Sequence, residues 1–104
     1  MPMPDYQPET LTRADTDALK GRVLLEFGAN WCGHCIAAQA AIHEALQQHP
    51  ALHHVAVEDG KGRPLGRSYQ VKLWPTLILL QDGVELGRTV RPLAAHQVLA
   101  LLAL

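Results

Sequence analysis

Long apolar runs are missing from this chain of 104 residues. The longest apolar stretch without a charge, 92–104, holds His96 and Gln97 and falls short of the ~20 apolar residues that a spanning helix needs. No membrane partner is therefore expected. Charge of one sign is missing too: nine Lys and Arg stand against ten Asp and Glu, a net charge of −1 that gives no general drive toward nucleic acid. The opening residues, Met1-Pro2-Met3-Pro4-Asp5-Tyr6, have neither a basic n-region nor an apolar h-region, so no secretory signal is expected and a cytoplasmic address is favoured. Internal repeats and low-complexity tracts are absent. What remains, 48% hydrophobic and 18% charged residues, is too apolar for disorder and suits one globular domain over 1–104.

Prolines at 2, 4 and 8 make residues 1–10 an extended or frayed start. Residues 15–21 carry Asp residues suited to a helix N-terminus and a Gly stop, which predicts a short helix. Residues 23–27, Val-Leu-Leu-Glu-Phe, read as a central strand covered on both faces, with Glu26 as its anomaly. The mixed apolar and polar positions of 33–48 predict the longest helix, ended by His49-Pro50. Residues 53–57 predict a strand, 59–64 a loop, and the next residues a short helix through Tyr69. Residues 76–80 predict a further strand, and the turn dipeptide Asp82-Gly83 folds 84–90 back against it. Pro92 is expected to open the last helix, since the first helical position does not need its N–H. The order implies an α/β domain, a mixed sheet of four to five strands with helices on both faces.

Cysteine is scarce, and both cysteines lie in Trp31-Cys32-Gly33-His34-Cys35, after a buried-type strand and at the start of the longest helix. Unpaired N–H groups and a partial positive charge at a helix N-terminus stabilise a thiolate over a thiol, which makes Cys32 the nucleophile. The spacing brings Cys35 within disulfide reach. A structural zinc site usually needs four ligands, and there is no second Cys pair; His53 and His54, adjacent in a strand, point to opposite faces. A c-type haem needs His directly after the second Cys, where Ile36 stands. A purely structural disulfide closing so small a loop would stabilise little. No metal and no bound organic cofactor are expected, and a redox-active dithiol is the favoured reading.

Phe27-Gly28-Ala29-Asn30-Trp31-Cys32-Gly33-His34-Cys35, then Tyr69-x-Val71 with Trp74-Pro75-Thr76, then Asp82-Gly83, resemble in turn the active-site strand and turn, the second signature and the hairpin of the thioredoxin family. The resemblance covers about residues 19–104, and the family's first strand is either 6–11 or absent. It implies a thioredoxin-like fold in which Cys32 attacks a substrate disulfide and the more buried Cys35 resolves the mixed disulfide. It also implies that Pro75 is cis and lies opposite the cysteines, where neighbouring backbone can pair with a substrate strand. Trp31, Trp74, Pro75, Thr76 and Arg91 are the candidate substrate contacts, with Trp74 either a binding platform or only packing.

Glu26 sits where the family usually has a buried acid, which implies a proton relay to Cys35; the alternative is a side chain that reaches solvent at a strand end. His34 departs from the common Gly-Pro dipeptide, and Gly-His is typical of protein disulfide isomerases. An imidazole beside Cys32 can favour the reduced thiolate and make the couple more oxidising; the alternative is a solvated surface His. Gly28 replaces a usual aromatic, Ile36 a basic residue, Ala40 a helix-kinking proline and Arg91 a glycine, and no lysine faces Glu26 from 53–57. Lys61, Arg63, Arg67 and Lys72 lie in an acid-free segment without a Gly-Lys-Ser/Thr pattern, a solvated basic surface. A monomer is expected, unless leucines of the last helix stay exposed for a partner. The expected activity is reduction of disulfide-containing client proteins, with a thiol reductase or small thiol as electron donor. A disulfide oxidase or isomerase, and a non-catalytic binding module, are the alternatives.

Overall fold

The computed structural model describes residues 2–104. Along the chain run β1 (Gln7–Pro8), α1 (Arg13–Asp17), β2 (Arg22–Gly28), α2 (Gly33–Gln47), β3 (His53–Glu58), α3 (Pro64–Ser68), β4 (Thr76–Gln81), β5 (Val84–Val90) and α4 (Ala95–Leu102). The sheet order is β1-β3-β2-β4-β5. β3 is parallel to both β1 and β2, while β4 is antiparallel to β2 and β5. The expected mixed α/β sheet is therefore present, with five strands.

β2 sits at the centre because each of its residues from Val23 to Gly28 can be buried. The pleat divides them between two cores. Leu24, with Leu77 and Leu79 of β4, packs against Ala38, Ile42 and Ala45 of α2 and Val98, Leu101 and Leu102 of α4. Val23, Leu25 and Phe27, with Ile78 and Leu80, meet Val57, Leu65 and Tyr69 on the other face. Glu26 has the parity of Leu24, so the same alternation aims a carboxyl at α2. On β3, Val55 and Val57 join the opposite core, which leaves His54 and Ala56 on the face of Glu26.

The hairpin forms as its dipeptide requires: Asp82 and Gly83 have φ of 50° and 82°, the pair of positive values that a two-residue turn of this hand needs. A Cβ on Gly83 would also collide with the backbone of Asp17.

Three boundaries differ from expectation. The first helix begins at Arg13, earlier than the Asp residues implied, because Thr12 caps it: the Asp15 N–H donates to Thr12 Oγ1 (3.1 Å) and the Thr12 N–H to Asp15 Oδ2 (2.8 Å). Gly21, the expected stop, lies beyond the helix in the loop entering β2. Pro92 does not open the last helix; it is buried ahead of it. The Gln97 side chain takes the cap's place, its Oε1 accepting from the N–H groups of Leu93 (2.7 Å) and Ala94 (3.0 Å). The N-terminal segment is extended but not frayed at Tyr6, which is buried, and its next two residues pair with Val57 and Glu58.

Candidate active site

The pair of cysteines is placed asymmetrically by the start of α2. Cys32 is the N-cap, with extended backbone, and its Sγ accepts the Cys35 N–H at 3.3 Å, so the sulfur sits over the unpaired first turn. Cys35, one turn on, is fully buried. Burial, and then the neighbouring Cys32, push the Cys35 thiol up to about 12. One sulfur therefore lies at a helix end near the surface, and the other keeps its proton in the interior.

Beside the dithiol the Trp74–Pro75 peptide is cis. Trp74 packs on the cluster of Tyr6, Ala29, Cys32 and Cys35. Its Nε1 donates to Asp59 Oδ2 at 2.9 Å, and its ring stands edge-on to Trp31 with centroids 5.7 Å apart. Trp74 is thus held in place by packing, and Trp31 carries that aromatic surface outward, being 76% exposed. Arg91, at a positive φ of 52°, donates from Nε to the Trp74 carbonyl (2.9 Å) and from its N–H to the Pro75 carbonyl (2.9 Å). Thr76 is buried, its hydroxyl donates to Leu73 O at 2.6 Å, and it pairs in the sheet with Phe27 and Val90, so it presents no exposed contact.

Behind the dithiol, Glu26 is buried rather than reaching solvent. Its Oε1 meets His54 Nε2 at 2.8 Å, and its Oε2 accepts from the Tyr6 hydroxyl and from Gln39 Nε2 (3.1 Å). Gln39 Nε2 also reaches the Cys35 carbonyl at 3.1 Å. Burial first, and then Glu26, raise the Tyr6 phenol far above its ordinary value. His34 lies on the outer side of the same helix start, exposed, and its ring makes no hydrogen bond among the described residues.

Tyr6, Gln39, His54 and Asp59 were not singled out by sequence reasoning as parts of this site. Two signals pointed to His54 and Tyr6. His54 shares a face with Ala56, the residue paired with Glu26, so strand parity puts its imidazole within reach. Gly28, standing where an aromatic is usual, leaves a gap that some other ring had to fill. The basic residues Lys61, Arg63, Arg67 and Lys72 line an open groove that ends at Trp74, and Arg63 pairs with Glu58 at 3.3 Å. In α4, Leu101 and Leu102 are buried and Leu104 beyond it is exposed.

A family model described as Thioredoxin matches residues 10–103. Thioredoxin 2 from Pseudomonas aeruginosa PAO1, solved in its reduced form, is 49% identical, with a TM-score of 0.83 over 91% of this chain and 88% of that one. Thioredoxin-2 of Pyricularia oryzae is 36% identical over 76 residues, 71% of this chain but only 44% of that protein's length. The thioredoxin of Chlamydia trachomatis is 37% identical over 71 residues, 67% of this chain and 69% of that protein. The cysteine pair stands at the active-site position of a family whose members are thiol–disulfide oxidoreductases. With that dithiol at the head of α2 and the match running through nearly all of the sheet and its helices, the chain belongs to the thioredoxin family.

Proposed function

We propose that this protein reduces disulfides in client proteins, with Cys32 as the attacking sulfur and Cys35 as the resolving one. The asymmetry of the pair carries the reading: Cys32, 8% exposed, caps a helix over its unpaired first turn, whereas Cys35 is fully buried with its proton held. In the first step the Cys32 thiolate attacks one sulfur of the client disulfide, and the client's other sulfur leaves as a thiolate that takes a proton from water. In the second, Cys35 gives up its proton and attacks Cys32 Sγ, and the remaining client sulfur leaves. The client gains two electrons and two protons, and the dithiol becomes a disulfide. A thiol reductase or a small thiol returns the electrons. Glu26 takes the proton that Cys35 releases.

The client lies against Trp31, Trp74 and Pro75. Arg91 occupies one lone pair of the Trp74 carbonyl, so a client strand pairing there uses the other or displaces the guanidinium. The setting that suits this direction is the cytoplasm, where thiols are kept reduced, and the acting species is the monomer.

Insulin reduction driven by dithiothreitol tests the reading. The wild type should accelerate precipitation of the insulin chains, and a rate no faster than dithiothreitol alone would leave only a binding module. His34 favours a second reading, disulfide oxidase or isomerase. Equilibration with glutathione separates the two: a potential near that of thioredoxins, about −270 mV, marks a reductase, and one near about −180 mV an isomerase-like oxidant.

A further inference from the structure

We infer that the Tyr6 hydroxyl is a link in the proton path of Cys35, standing between its thiol and the Glu26 carboxylate, with His54 as the exit to solvent. This rests on the resolving role of Cys35 argued above.

Cys35 is fully buried, so its proton has no direct way into water. No hydrogen bond joins it to Glu26 among the described residues. Tyr6 fills the space between them. A Cβ placed on Gly28 would lie 2.8 Å from the Tyr6 hydroxyl oxygen, 2.6 Å from its Cζ and 2.7 Å from Cys35 Sγ, so hydroxyl and sulfur border the same spot, which only a glycine leaves open. The two groups belong to one buried cluster, and each shifts the other's proton affinity there. On its other side the hydroxyl donates to Glu26 Oε2.

The remaining members are fixed in ways that a mere space-filling ring would not require. Asn30, in the turn before Cys32, clamps the Tyr6 backbone reciprocally: Tyr6 N–H donates to Asn30 Oδ1 (2.7 Å) and Asn30 Nδ2 to Tyr6 O (3.2 Å). Gln39 holds Glu26 Oε2, and Glu26 Oε1 meets His54, whose side chain is 30% exposed. The titratable groups facing the hydroxyl are thus Cys35 from α2 and Glu26 from β2, with His54 of β3 behind the carboxylate.

A phenol hydroxyl both donates and accepts, so it can pass a proton while staying neutral. Cys35 gives its proton to the Tyr6 oxygen as the phenol's own proton goes to the Glu26 carboxylate. The Cys35 thiolate attacks Cys32 Sγ, the new S–S bond forms, the Cys32–client bond breaks, and the client sulfur leaves with the electron pair. One negative charge has moved from Glu26 to the departing sulfur. Glu26 then passes the proton to His54 and water. No free phenolate is formed, in keeping with the strongly raised proton affinity of Tyr6.

Stopped-flow reaction of the whole chain with 5,5′-dithiobis(2-nitrobenzoate) separates the steps. The first thionitrobenzoate release depends on reagent concentration and reports Cys32; the second does not, and reports resolution by Cys35. Tyr6→Phe keeps the ring and removes the hydroxyl. Its first rate should stay within twofold of wild type and its second should fall at least tenfold at neutral pH, with the gap closing as alkali deprotonates Cys35 directly. Glu26→Gln should slow the second release in the same way, and the double variant should be no slower than the slower single one. A second rate in Tyr6→Phe within twofold of wild type, a deficit that ignores pH, or multiplicative slowing in the double variant overturns the path alone. A wild type that releases only one equivalent overturns the resolving role of Cys35 and the path with it.

Discussion

Leu24 and Glu26 point from the same face of β2 toward the same helix, two residues apart, into opposite surroundings. Leu24 meets only hydrocarbon: Ala38, Ile42 and Ala45 of α2, Leu77 and Leu79 of β4, and the inner face of α4. Glu26 meets a phenol, a carboxamide and an imidazole, close to a buried thiol. The flanking strands are continuous through both halves, and β2 keeps its register with β3 and β4 from Val23 to Phe27. The site therefore differs from the core at two inward positions of one strand: a carboxyl at Glu26, and at Gly28 a missing side chain that lets Tyr6 in. The apolar half supplies rigidity through close packing, and the polar half supplies chemistry because its groups are buried but satisfied.

The largest effect should come from Cys32→Ser, which breaks the functional half while sparing the apolar one. Turnover in insulin reduction should fall at least ~10³-fold, because a serine hydroxyl is not ionised at neutral pH. Stability should hold or rise, since serine is a preferred N-cap and its oxygen can accept the Cys35 N–H that the sulfur now accepts. Cys35→Ser should keep the first attack and accumulate mixed disulfides, detected by mass spectrometry. A trapped mixed disulfide on Cys32→Ser would reverse the assignment.

Leu24→Ala and Glu26→Gln should then part the halves in opposite directions. Leu24→Ala deletes fully buried methyl groups and should lower unfolding free energy by about 2–5 kcal/mol in urea, with the second thionitrobenzoate rate within twofold of wild type. Glu26→Gln should slow that rate by about 10²-fold and change stability by less than about 1.5 kcal/mol, as it removes a buried ionisable group but leaves one oxygen to meet three donors. Equal stability losses in both variants would erase the distinction between the halves.

The apolar half was legible in the sequence and the polar half only in part, for a physical reason. Apolar periodicity and the Asp82-Gly83 dipeptide report local choices, and they placed β2, α2, β4 and the hairpin within a residue or so. The dithiol was legible because its chemistry needs two residues on one helical turn. Tyr6, Gln39 and His54 come from three different segments and acquire a role only once strand pairing brings them to Glu26. Reading His53 and His54 solely as metal ligands missed that one of them shares a face with the carboxyl. The first helix was misplaced because Thr12 and Asp15 form a reciprocal cap that starts it earlier than the Asp residues alone imply, and Pro92 because the Gln97 side chain takes the N–H groups ahead of the last helix.

Alkali should expose the polar half next. Burial raises the Cys35 thiol from 9.0 to about 12. Between those values the unfolded chain has lost a proton that the folded chain retains, so unfolding free energy falls as pH rises; the contribution is whole below pH 9 and lost by about pH 12. Tyr6, raised in the same direction chiefly by burial, adds to the slope from 10.0 upward. In urea melts between about pH 8 and 10.5, wild type should lose stability more steeply than Cys35→Ala, whose apolar methyl does not titrate. Parallel curves would mean that the thiol is no more shielded folded than unfolded.

The smallest effect should come from His34, a motif residue that faces neither half. Its ring is exposed and makes no hydrogen bond among the described residues, so it acts on the Cys32 thiolate only through solvent. A protonated imidazole stabilises that thiolate and has no charge to stabilise in the disulfide, hence only the reduced state gains and the couple becomes more oxidising. His34→Pro loses no helix bond, because the second helical position has an unpaired N–H, and should lower the reduction potential. The shift should stay below ~30 mV, the equivalent of tenfold in the dithiol equilibrium with glutathione. His34→Gln, which removes the charge but keeps the backbone, should give the same sign. Screening sharpens the test: the Debye length drops from about 10 Å at 0.1 M salt to about 3 Å at 1 M, so the variants and wild type should converge as salt is added. A difference that survives high salt would place its origin in the backbone at position 34 rather than in charge, and an unchanged potential at low salt would leave His34 a surface residue with no part in setting the couple.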